Sequence, residues 1–359
     1  MATLNINTER ILANIEKLNT YLNKHNMTWS LVTKILIGHK PTLEKLLASD
    51  TVFGLHSIGD SRISNLRAIK EIRPEVVTMY LKPPASSQVK NTVKYADISL
   101  NSSLTTIKAL DEEAGKQGKR HRVIIMVELG ELREGIAREN ILRFYEDVFK
   151  LDNIEVCGIG SNLGCMYGVE PTYDKLIQLS LYKQLIDEKF GKKLELVSGG
   201  SSITLPLLSD KKVPPGMNHF RIGETAFLGN NLLNGKQFRN LSMSAFDFSA
   251  ELVELEKKFS IPDGNLSDGS IGHFAETDEE PGEKSYRGIL DFGIVDVDVE
   301  GLQPMKEGVR YVGTTSDMTV YDLGKEKNSL SVGKKIHFKP NYIAIARLMH
   351  SRYITKKVV

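Results

Sequence analysis

Three kinds of residue in this 359-residue chain have types and spacings that suit chemistry at one place. Lys34 lies in LVTKILIGH with apolar neighbours on both sides. Desolvation there lowers an amine's pKa and frees it for Schiff-base formation, although a surface lysine at a strand end is the plainer alternative. Further on, VSGGSS offers the hydroxyls of Ser198, Ser201 and Ser202 around Gly199 and Gly200. Glycines let backbone N–H groups approach an anion, and a helix start just beyond favours phosphate. A flexible turn would read the same way. Arg221, in FRIGE, brings a permanent cation with a planar fork of donors. Its alternative is an ion pair with Glu224 or Glu128.

These residues converge only if the elements that carry them share an end. Short β-branched runs alternate with stretches of helical periodicity, the pattern of repeated βα units around a parallel sheet. About eight strands are expected by this reading, among them Trp29 to Leu36, Val52 to Gly59, Arg122 to Leu129, Ile154 to Leu163, Leu194 to Ser202 and His219 to Phe227. The first helix shows the spacing: Ile11, Ile15, Leu18 and Leu22 fall on one face. Eight such units in roughly 230 residues match a TIM barrel, whose chemistry sits at the C-terminal ends of its strands. Lys34, SGGSS and Arg221 then occupy one rim.

After about Asn234 the rhythm changes to strands separated by Gly, Asp and Asn turns, including RGILDFGIVDVDV, VRYVGTT, MTVYDLG and KIHFK. The expectation is an α/β chain with a (β/α)8 barrel over 1–235 and a mainly-β domain over 236–359. A long acidic Gly/Pro-containing loop near 262–284 reads as a solvated loop or as a lid or subunit contact. Composition narrows the partners: 41% hydrophobic and 26% charged residues with a net charge of +2 argue against nucleic acid or an anionic membrane and for a small molecule. Cys157 and Cys165 cannot build a disulfide framework, no apolar run suggests a membrane span, and the charged start is unlike a secretory leader, so the cytoplasm is expected. His273 and His337 lack metal-ligand spacing, and no metal site is expected.

A reactive amine, a phosphate loop and an arginine on one rim describe a cofactor with an aldehyde, a phosphate and a ring nitrogen, which is pyridoxal 5'-phosphate (PLP). LVTKILIGH, GLHSIGDSRISNL, YADISLNS, VELGELREGI, GSNLGC, SGGSS, FRIGETAFLG and VGTTSDMTVYDL resemble, in order and spacing, amino-acid racemases of the alanine racemase superfamily. The resemblance spans nearly the whole chain and is closest to the ornithine racemases. It implies a PLP enzyme that interconverts the enantiomers of a free amino acid through a Schiff base and an α-carbanion. Ornithine is the expected substrate, with lysine, alanine or serine behind it. It also implies a homodimer with residues from both subunits at each site. Lys34 corresponds to the cofactor-bonding lysine and one of two bases, Arg221 to the arginine at the ring nitrogen, and Arg133 to the arginine near the phenolic oxygen. Ser201 and Ser202 correspond to the phosphate loop, with Gly223 and Glu224 beside it, and Tyr342 to a C-terminal phosphate-binding tyrosine.

The departures concern mechanism. Where the superfamily has a tyrosine four residues after the lysine, this chain has Gly38, and a histidine is replaced by Asn162. The tyrosine that acts from the second subunit meets Phe292 or Ile294. Proton delivery to both faces of a planar carbanion requires a group besides Lys34, and Asp317, Asp296 and Cys165 are the candidates, with Tyr167 and Tyr286 behind them. Two other classes stay open: a PLP-dependent aldolase or decarboxylase on the same fold, and a non-catalytic PLP carrier.

Overall fold

The computed structural model describes residues 2–265, 272–275, 282–326 and 329–359, and most of the acidic segment over 262–284 lies outside them. The chain forms two compact units, Arg10–Met243 and Met1–Glu9 with Ser244–Val359.

In the first unit, eight strands pair in parallel and in chain order: Thr28–Val32, Ser57–Asp60, Thr78–Tyr80, Ile98–Asn101, His121–Met126, Ile154–Gly160, Leu196–Ser198 and His219–Ile222. The last pairs with the first, matching Arg221 to Ser30, and the short strand Gly200–Ser201 pairs with it on the other side. The sheet thereby curls into a nearly closed (β/α)8 barrel. Its interior packs Met79, Ile98, Leu100, Ile124, Met126, Cys157 and Leu196. The helix Thr8–Asn23 buries the expected stripe, since Ile11, Ile15, Leu18 and Leu22 are at most 1% exposed. Thr172 caps Tyr173–Phe190 by accepting from Lys175 N–H, and Ser103 caps Leu104–Lys116 through Thr106 N–H.

Strand ends differ from the sequence reading where polar turns cut in. The first strand stops at Val32, and Lys34 opens a 3-10 turn, Lys34–Leu36. Val52 and Phe53 belong to a short helix, and the next strand begins only at Ser57.

The second unit is built on the long strand Phe246–Phe259, which pairs antiparallel with Thr3–Ile6, Lys284–Leu290 and Lys335–Pro340. Two features correct the reading of this region. The run RGILDFGIVDVDV, expected to continue through Val299, ends as a strand at Leu290, because Phe292 turns into a core with Phe248 and Phe338. A helix, Tyr342–His350, follows the strand Lys335–Pro340, its first turn capped by Asn341 accepting from Ala344 N–H. The N-terminal strand, which sequence reasoning did not assign, completes this sheet between Phe246–Phe259 and Thr355–Val358.

Candidate active site

At the C-terminal ends of the barrel strands, Lys34 lies within electrostatic reach of Asp60, Arg133, Cys165 and Arg221, and Glu134 lies within reach of both arginines. Lys34 follows strand one directly. Its side chain reaches solvent at the mouth, yet protein surrounds it on most sides, and this desolvation lowers its pKa. Cys165 and Asp60 oppose the shift, and Arg133 and Arg221 add to it by like-charge repulsion.

Arg221 is buried, 6% exposed, and held by the barrel itself. Its Nη1 donates to the carbonyl and the hydroxyl of Ser198, both at 2.5 Å, and its Nη2 donates to Ser161 O at 2.7 Å. Neither Glu224 nor Glu128 pairs with it. Burial pulls its pKa down to about 10, opposed by Glu134, so it stays cationic at neutral pH. Three of a guanidinium's five N–H donors are used in these bonds. Ser198, expected in the phosphate loop, instead lies beneath Arg221.

The loop after strand five carries Arg133, clamped by Glu134 through Nε to Oε2 and Nη2 to Oε1, the latter at 2.7 Å. This pairing holds Arg133 well above its ordinary value. The loop is folded back on itself, with Gly130 at φ 113° and Gly135 at φ 140°. A Cβ at Gly135 would lie 2.4 Å from Glu128 N, so only glycine fits.

Glu131, from the same loop, is 2% exposed and accepts N–H bonds from Gly164, Cys165, Tyr167 and Val169 at 2.7 to 3.2 Å. Burial pushes its pKa up, but the four donors outweigh it and leave the carboxyl below its usual value. One buried carboxylate therefore shapes the segment that presents Cys165.

At the next strand ends, Ser202 Oγ accepts from Gly223 N and Thr225 N, both at 3.3 Å, which joins SGGSS to the turn after strand eight. Gly200 packs on Phe220, whose ring would lie 2.0 Å from an added Cβ. Ser201 caps the turn Ser202–Thr204. Ser161 Oγ and Asn162 Nδ2 are buried and without a hydrogen-bond partner among the described residues.

Of the candidate bases in the barrel unit, Cys165 stands in this cluster. Asp296 is buried in the second unit, accepting from Ser351 Oγ at 2.6 Å and from Gly293 N–H. Asp317 is exposed on the turn 315–318 of the same unit, against which Gly293 packs. Tyr342 begins the helix of that unit. Sequence reasoning missed Asp60, Glu131, Glu134 and His219. Asp60 closes GLHSIGD, a motif already quoted, and accepts from Arg62 N–H, Asn65 Nδ2 and Thr33 Oγ1. The GELREG motif held both glutamates, but neighbouring charges in a loop carry no periodic signal.

Comparison with known proteins agrees along the chain. Residues 6–231 match the family described as alanine racemase, N-terminal domain. The chain is 31% identical over 357 residues to an ornithine racemase from Acetoanaerobium sticklandii, covering 99% of each. It is 29% identical over 351 residues to a lysine racemase from Thermotoga maritima, covering 98% of this chain and 96% of that one. Among solved structures, an alanine racemase from Clostridium difficile 630 superposes with a TM-score of 0.77 at 15% identity, covering 100% of this chain and 95% of that one.

Proposed function

The chain belongs to the alanine racemase family, and on that footing we propose that it is a PLP-dependent racemase of a free basic amino acid, ornithine first and lysine next. The observation that carries the reading is the convergence of Lys34, Arg133 and Arg221 on one space at the mouth of the barrel. The residues there fit the cofactor. Lys34 offers an amine whose pKa is lowered, Arg221 stays cationic, and Asn162 Nδ2 and Ser161 Oγ are without partners among the described residues. Ser202 has its lone pairs engaged and its O–H left to donate to a phosphate.

When bound, PLP supplies an aldehyde that captures the substrate's amine and a conjugated ring that withdraws the electrons left when the α-proton departs. Lys34 would hold the cofactor through that aldehyde, and its free amine, with its lowered pKa, would take or return a proton at Nζ. Arg221, a pure donor, would hold the ring nitrogen and discourage its protonation, which would favour return of the proton over side reactions. Arg133, steadied by Glu134, would hold the phenolic oxygen. Cys165 Sγ, beside the same three cations, is the proposed group for the opposite face. A homodimer is part of the proposal: Leu132, Met166 and Tyr167, 68%, 57% and 68% exposed on loops of the mouth, form an apolar rim suited to a second copy.

The test is α-proton exchange followed by NMR in D2O, with PLP present and a panel of L-ornithine, L-lysine, L-alanine and L-serine. Exchange of ornithine with appearance of its D-enantiomer is expected. A protein that takes up the cofactor but exchanges none of the panel would remove the racemase reading and move the search to cleavage and decarboxylation products.

A further inference from the structure

His219 lies two residues before Arg221 on the last barrel strand, so both side chains point into the barrel interior. It is fully buried, and its ring is spanned by two serines: Ser198 Oγ is 2.7 Å from Nδ1, and Ser30 Oγ is 2.9 Å from Nε2. Ser198 Oγ is also the acceptor for Arg221 Nη1. An arginine only donates, so the Ser198 hydroxyl proton must go elsewhere. Among the described residues, the acceptor within reach is His219 Nδ1. If Nδ1 carried the proton instead, the Ser198 oxygen would accept twice and its O–H would be buried with no acceptor. The arrangement that satisfies every group has Nδ1 accepting from Ser198 and Nε2–H donating to Ser30. Ser30 Oγ in turn lies 2.6 Å from Ser57 Oγ.

We infer that His219 is a positioning residue for Arg221, held as the neutral Nε2–H tautomer so that Ser198 turns its oxygen to the guanidinium. A hydroxyl that donates to an imidazole becomes a better acceptor itself, and this tightens the Arg221 bond cooperatively. Burial, His56 and Arg221 all press the ring toward its neutral form. His56 packs edge-on against it at 4.7 Å. The inference rests on Arg221 having the role proposed above, but the tautomer does not depend on any reaction.

The first experiment is 15N NMR of the holoenzyme labelled at histidine, with the His219 signals assigned by their absence from a His219→Asn or His219→Gln spectrum. An unprotonated Nδ1 and a proton-bearing Nε2, unchanged on titration through neutrality, are expected. A protonated Nδ1 or an imidazolium overturns the inference, whether or not the enzyme racemises anything. The variants then separate positioning from packing. Asn places an acceptor near Nδ1 and keeps the Ser198 partner, whereas Gln reaches toward Nε2 and leaves Ser198 unmet. Racemisation in His219→Gln should fall by on the order of tenfold relative to His219→Asn, with KM nearly equal. Equal losses in two folded variants overturn the positioning role. Absence of exchange in the wild-type protein would instead strike the racemase proposal and leave the tautomer result standing.

Discussion

Lys34 and Cys165 differ in what their removal should do, and that difference tests the roles given to them. Burial disfavours the ammonium form of Lys34, so its free-amine fraction rises at a lower pH than that of an ordinary lysine. Borohydride trapping of PLP on the protein should therefore reach half-maximum below the pH at which surface lysines react, and Lys34→Ala should abolish it together with α-proton exchange. Full exchange in Lys34→Ala would remove the lysine from the mechanism. Cys165→Ala should keep the cofactor and exchange the α-proton of one enantiomer, while racemisation falls by about 100-fold or more. If both enantiomers exchange as before, the opposite face is served by another group.

At the level of elements, the site depends on a carboxylate that touches no substrate. Glu131 gathers four N–H groups of the segment bearing Cys165, and a buried carboxylate with charge-assisted bonds is costly to delete. Glu131→Ala leaves those donors unmet and should cost on the order of 3 kcal/mol, with faster amide hydrogen exchange over residues 164–169. Protection unchanged in that segment would mean that the loop holds its own shape. This clamp was invisible in the sequence, since Glu131 and its partners are more than thirty positions apart and share no period. The strands were legible because β-branched runs alternate with helical stripes such as Ile11, Ile15, Leu18 and Leu22. Strand ends were less so. The 3-10 turn at Lys34 continues the apolar run KIL, and Phe292 continues ILDF while packing in a core. Lys34, Arg133 and Arg221 were found through type and motif. His219 and Asp60 act through neighbours that only the closed barrel brings near.

For the whole molecule, the consequence of building a polar interior is sensitivity to acid, and its sign follows from linkage. His121 is 3% exposed, with Nε2 at 2.7 Å from Ser99 Oγ, and burial pulls its pKa down to about 4 from the ordinary 6.5. Burial also lowers His56 and His219. Between the two pKa values the unfolded chain binds a proton that the folded chain refuses, so stability is complete above about pH 6.5 and declines as pH falls toward 4. For His121 alone the loss across that window is on the order of 3 kcal/mol. All three histidines lie in the Arg10–Met243 unit, and so does Trp29, the only tryptophan, at 1% exposed. Its fluorescence therefore reports on the unit where the effect arises. Thermal unfolding followed at Trp29 should show Tm dropping by several degrees between about pH 7 and pH 4.5, and His121→Gln, which keeps a donor toward Ser99 but does not titrate, should recover part of the drop. Carboxylates throughout the chain also titrate in this range, so the comparison between the two proteins carries the test. Parallel Tm profiles would show that protonation of His121 is not coupled to unfolding of the barrel.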